Sequence, residues 1–178
     1  MNFQSLPTDA KSILALKWID YEPYYKDLEA RELSKENIEA WLNDWSRLAE
    51  TADEHYWRLY IATTVNTADK ESEAGFNKYI EEIQPAAKTA EQKLKNKLLA
   101  SGLSPKSFET GLRRLQAEAE IFTEENLPLL AEEQKLVTEY NKLIGSLTVM
   151  WDGEERTFAQ MFPLLYENDR SVRQRAWE

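Results

Sequence analysis

Apolar residues recur at steps of three and four along most of this chain, and the period changes in only one place. The longest run is Ile38, Trp41, Trp45, Leu48, Ala52, His55, Leu59 and Ala62. This spacing draws one stripe on an α-helix, with Glu36, Glu39, Asn43, Glu50 and Asp53 on the other face. Ser34 is the expected N-cap of that helix. A break near Asn66-Thr67 leads to a second long helix over residues 69–100, with Phe76, Ile80, Ile83, Ala87, Ala90, Leu94 and Leu98 as its seam. Pro85 falls inside it and predicts a kink, because the ring removes a hydrogen bond and crowds the preceding turn. Gly102 is the expected C-terminal cap residue. The two helices should pack as an antiparallel hairpin.

The flanking segments are shorter. Residues 6–18 read as irregular or briefly helical, and Asp20 as the cap of a short helix through Leu33, with Pro23 in its first turn. Ser104-Pro105 is a helix start, and Leu112, Leu115, Ala119 and Phe122 line that third helix. Asn126-Leu127-Pro128 starts a fourth, marked by Leu129, Val137, Tyr140 and Ile144, with Leu136 and Leu143 beside them, and ending near Gly145. Residues 147–158 then read as strand, with Asp152-Gly153 as a hairpin turn. Thr157 could cap a short helix over 158–165. Residues 169–178 open a last helix that meets no Gly, Pro or polar turn cluster. The predicted fold is mainly α: long antiparallel helices, the first pair a hairpin and the second kinked at Pro85, plus one short β-hairpin near 147–158. The open last helix gives the expectation that residues 1–178 are the N-terminal region of a longer protein, incomplete at the C-terminus. Residues 1–103 would be outer helices and 104–178 helices plus hairpin.

Charge narrows the partners. With 32 acidic against 22 basic residues the net charge is −10, and no basic run offsets it, which argues against nucleic acid or an anionic membrane as partner. No apolar run approaches the ~18 residues needed to span a bilayer. The chain has no Cys, which excludes disulfides, thiolate metal sites and a Cys nucleophile, and suits a cytoplasmic setting.

Candidate chemistry is sparse. His55 is the one histidine, so a His-Glu-x-x-His zinc motif is impossible within these residues, and position 52 is Ala where a Glu-x-x-His pair would need Glu. Its place on the apolar seam reads as a core or interface histidine. Glu81-Glu82, Glu124-Glu125, Glu132-Glu133 and Glu154-Glu155 are adjacent pairs, which do not face each other on a helix and read as solvated surface. Trp41, Trp45, Tyr56 and Trp57 form an aromatic stripe that reads as core, with a ligand cage as the lesser reading. There is no Gly-rich phosphate loop and no G-x-S-x-G. No catalytic, cofactor-binding or metal residue is assigned.

The run Glu139-Tyr140-Asn141-Lys142-Leu143-Ile144-Gly145-Ser146-Leu147-Thr148-Val149, followed by Trp151-Asp152-Gly153-Glu154-Glu155, Thr157, Asp169-Arg170, Arg173, Ala176 and Trp177, resembles the oligoendopeptidase F family. Residues 122–129 with 131–135, and the Trp41 to Thr67 helix leading into Asp69, are similar to it as well. Those are zinc metallopeptidases of the thimet-oligopeptidase type. The resemblance implies a mainly helical shell around a deep channel that admits short peptides. It implies a zinc on His-Glu-x-x-His plus a downstream Glu in a later, larger catalytic part. None of those positions exists here, so this chain alone should be inactive and its share is a channel wall. The other readings are a stand-alone helical interaction or self-association module, and a small-molecule-binding bundle resting on the aromatic stripe.

Overall fold

A computed structural model describes residues 1–106 and 108–178. The helices in chain order are α1 (Ala10–Leu14), α2 (Trp18–Ala30), α3 (Ile38–Val65), α4 (Lys70–Glu82), α5 (Gln84–Ser101), α6 (Glu109–Ile121) and α7 (Leu127–Ser146). A β-hairpin of β1 (Thr148–Trp151) and β2 (Glu154–Thr157) follows, and then α8 (Phe158–Met161) and α9 (Arg170–Trp177). The fold is mainly α with one small antiparallel sheet, as the periodicity predicts.

Several boundaries differ from the sequence reading, each for a local reason. Residues 3–5 form a short 3₁₀ turn ahead of α1, and Asp9 caps α1 by accepting from the Ser12 N–H at 3.0 Å. α2 begins at Trp18, before Asp20. The Asp20 carboxylate instead reaches back to accept from the Lys17 backbone N–H at 2.8 Å, so it closes the first turn from inside. Pro23 therefore stands beyond the first turn. α3 begins at Ile38, because Ser34 to Asn37 is spent on a turn in which the Ser34 carbonyl accepts from Ile38 at 3.0 Å. The predicted kinked helix 69–100 is divided into α4 and α5 at Ile83. Hydrogen bonds from Ile83 to Tyr79 (3.0 Å) and from Ala87 to Ile83 (2.9 Å) carry the helix path across, and Pro85 sits in the first turn of α5 where its missing N–H costs least. α6 begins at Glu109, later than Ser104-Pro105, since the Phe108 N–H first turns back to the Pro105 carbonyl at 3.1 Å.

The core lies between α2, α3, α4 and α5. Tyr21, Leu28, Trp41, Leu48, Phe76, Ile80, Leu94 and Leu98 are all but sealed from solvent. Trp41 stacks edge-on against Trp45 (5.2 Å between centroids) and donates its indole N–H to the Leu28 carbonyl at 2.9 Å. That bond ties the end of α2 to the start of α3. An Arg31 guanidinium bridges Asp27 and Asp44 across the same corner at 2.6 Å each.

The C-terminal third is built differently. Beyond Leu98, the buried residues among those described are Pro105, Thr138 and Trp151. α7 attaches to the body through polar contacts: Tyr56 donates to Gln134 (3.1 Å), Lys142 pairs with Glu73 (2.9 Å), and Lys135 pairs with Glu81. Its C-terminus crosses the α3–α4 turn so closely that a Cβ on Gly145 would lie 2.9 Å from the Thr67 hydroxyl. In the hairpin Thr148 faces Thr157 and Trp151 faces Glu154. Asp152 and Gly153 both take positive φ (51° and 85°), the turn that matches strand twist. Thr157 caps α8 in a reciprocal box with Gln160. Arg175 of α9 returns to the hairpin, 3.8 Å over the Trp151 ring, and pairs with both Asp152 oxygens at 2.8 and 2.9 Å.

Candidate functional site

The aromatic stripe of α3 divides in the structure. Trp41 and Trp45 belong to the core, whereas Tyr56 is half-buried and Trp57 is exposed. Tyr56 and Trp57 lie edge to face, 5.1 Å apart, on the rim of a cleft of about 370 Å³. The cleft opens where α3, α5 and the start of α7 meet. The break at Ile83 and Pro85 helps open it, since Gln84, Pro85 and Lys88 form one wall.

Two carboxylates from different helices reach this cleft, Asp53 of α3 and Glu91 of α5. Glu91 accepts a hydrogen bond from the Tyr25 hydroxyl at 3.4 Å. Burial holds its carboxyl above the usual range; Lys88 and Lys95 pull it down, and Asp53 pushes it back up. Partial burial raises Asp53 as well, and Lys88 offsets part of this. Neither residue was singled out as chemistry in the sequence. Glu91 did leave a signal, an acidic residue between Ala87 and Leu94 on an apolar seam. Asp53 lies three and four residues before Tyr56 and Trp57, which places it beside them on the helix surface.

His55 lies beneath the cleft and is 2% exposed. Its Nδ1 shares a hydrogen bond with the Tyr21 hydroxyl at 3.1 Å, and its ring meets Tyr79 edge-on at 4.7 Å. Tyr79 donates to the Ala52 carbonyl at 3.1 Å. Burial lowers the imidazole pKa to about 4, so the ring is neutral near pH 7. It is sealed from any substrate and acts as a strut between α2, α3 and α4. The paired glutamates lie apart from it, all eight of them exposed.

Among the described residues, no three His, Cys, Asp or Glu side chains stand together as metal ligands. The sole imidazole is already bonded at Nδ1 and buried, so these residues do not fit a zinc ion. No described helix is long and apolar enough to cross a membrane.

The other prominent surface is apolar. Leu129, Leu136, Tyr140 and Leu143 of α7 are all more than half exposed, and Met150, Phe158, Phe162, Tyr166 and Trp177 continue the exposure past the hairpin. Isolated exposed apolar residues are ordinary, but here they are concentrated within one third of the chain.

A crystal structure at 3.1 Å of a protein provisionally designated an oligoendopeptidase F shares the fold with a TM-score of 0.71 and 21% sequence identity. The match covers 99% of this chain and 32% of that one, so the chain spans about a third of that protein's length. No curated protein matches the sequence significantly. A family profile described as the peptidase M3 N-terminal domain matches residues 18–110, which run from the start of α2 to the start of α6 and hold most of the core as well as Asp53 and Glu91. By that match, over more than half of its length, the chain belongs to the peptidase M3 N-terminal domain family.

Proposed function

We propose that this chain is the N-terminal, channel-wall part of a zinc-dependent endopeptidase that cleaves short peptides. The observation that carries this reading is the pairing of a near-complete fold match with an incomplete surface. The match takes up 99% of this chain but 32% of the other protein, while the apolar side of α7, the hairpin and the α8–α9 segment stands uncovered. In this reading residues 1–103 are the outer helices, and residues 104–178 lead to the catalytic part. The zinc belongs to that catalytic part, and no step of the reaction is assigned to residues of this chain. A cytoplasmic setting belongs to the same proposal.

The test compares the chain alone, a catalytic part alone and the two joined, on fluorogenic short peptides and on an unfolded protein. The joined form should cleave short peptides in a chelator-sensitive way and spare the long substrate. The chain alone should be idle. Equal cleavage of long substrate with and without this chain would remove the wall role.

One observation favours a second reading, a self-association module. Leu129, Leu136, Tyr140 and Leu143 follow near-heptad steps along the outer side of α7, a pattern that suits a partner helix. A mass that rises with concentration would support it.

A further inference from the structure

The cleft at the meeting of α3, α5 and α7 is not needed by the wall role, and its lining is unusual. Asp53 and Glu91 bring two carboxylates to one space of about 370 Å³. The nearby cations leave them unpaired. Lys95 is bound to Glu118 at 2.7 Å, and Lys88, at the same cleft, forms an ion pair with neither carboxylate. Among the described residues Glu91 has the Tyr25 hydroxyl as its hydrogen-bond partner, at 3.4 Å. Glu91 is half-buried and Asp53 is exposed at the mouth of the cleft, and the lysines act on them from a distance without a direct ion pair, so a cation entering the cleft would find both carboxylates open to it. Beside them stand Tyr56 and Trp57, two aromatic groups at the rim. Aromatic faces next to carboxylates recognise organic cations, because the ring quadrupole and the ionic charge act on the same ligand. The volume falls in the range of small-ligand sites, about 300–1,000 Å³.

We propose that this cleft binds an organic cation, an ammonium or guanidinium group on a short apolar stem. The charged head is held by Asp53 and Glu91, and the stem lies against Tyr56 and Trp57. Lys88 works against the ligand, since its ammonium occupies the same field. The cation can come as a free amine or as the Lys or Arg side chain of a peptide. The proposal does not depend on the peptidase reading and survives if that reading fails.

The experiment is calorimetric titration of the full chain at pH 7.5 with two probes. Agmatine stands for a free amine, and N-acetyl-arginine amide for a peptide side chain. N-acetyl-citrulline amide, of nearly equal shape without charge, is the control. Saturable binding of either charged probe is expected, with the preferred probe identifying the source, and none of citrulline amide. Asp53→Asn and Glu91→Gln should each weaken it about tenfold or more, as loss of one charged partner does. Lys88→Met should tighten it, by about threefold, by removing a like charge. Trp57→Ala, at an exposed position that the fold does not need, should weaken it about threefold or more and serves if Glu91→Gln unfolds the chain. No saturable binding by the unaltered chain would overturn the proposal. So would equal binding of citrulline amide, or an affinity unmoved by both Asp53→Asn and Trp57→Ala.

Discussion

The Tyr21 hydroxyl and His55 Nδ1 lie 3.1 Å apart inside the core, and their hydrogen bond joins the first half of α2 to the middle of α3. Burial holds the imidazole near a pKa of about 4, against about 6.5 for a solvated ring. The folded state therefore binds fewer protons than the unfolded state between these values. The contribution is complete above pH 6.5 and declines as the pH falls towards 4, by a total on the order of 3 kcal/mol. Urea unfolding of the natural chain and of His55→Gln, measured from pH 7.5 to 4.5, should show this. The difference between the two should shrink as the pH falls. A constant difference would mean that His55 is not the group responsible.

Trp41 combines burial with a specific bond. Trp41→Ala should cost about 3–5 kcal/mol, the range for emptying a large aromatic site. Trp41→Phe keeps most of the apolar contact but leaves the Leu28 carbonyl without its 2.9 Å donor, at about 1–3 kcal/mol. Chemical denaturation of both variants would resolve the two costs. Equal losses would show that the hydrogen bond, absent from both variants, accounts for the whole cost there.

Arg175 holds α9 against the hairpin through Trp151 and Asp152. The contact is largely exposed, so Arg175→Ala should change global stability by less than about 1 kcal/mol. Its effect should be local: faster amide hydrogen exchange in residues 170–177 and at the hairpin, with α3 and α4 unchanged. High salt should weaken the Asp152 pair and reproduce part of the effect. Unchanged exchange in α9 would show that it is held by its neighbouring turn instead.

Leu136 and Leu143 make little use of the present core, since both are more than half exposed. Replacing both with Glu should move stability by about 0.5 kcal/mol or less for each site. The same change should abolish docking to a catalytic part, or self-association, whichever the chain performs. Sedimentation of the chain alone and with that part would read both outcomes. A large loss of thermal stability in the double variant would contradict the exposed placement.

The sequence by itself determined the type of the main elements and where their apolar stripes lie. The three-and-four spacing of Ile38 to Ala62 is a local property of the helix, so it named α3 and the inward side of Trp41, Trp45 and Leu48 directly. The hairpin turn was equally legible, because Asp152-Gly153 accepts positive φ cheaply. Helix starts were less so. Lys17–Asp20 and Ser34–Asn37 both contain plausible caps, and which one closes the turn depends on how α2 and α3 meet. Only the tertiary structure decided which apolar stripes find partners. α3 and α7 carry similar patterns, yet one is sealed by three helices while the other faces outward, a difference no local period can express. The cleft is a tertiary feature as well. Asp53 and Glu91 are 38 residues apart in the sequence, and they line one cleft because the chain reverses at the α3–α4 turn and brings the start of α5 level with the middle of α3.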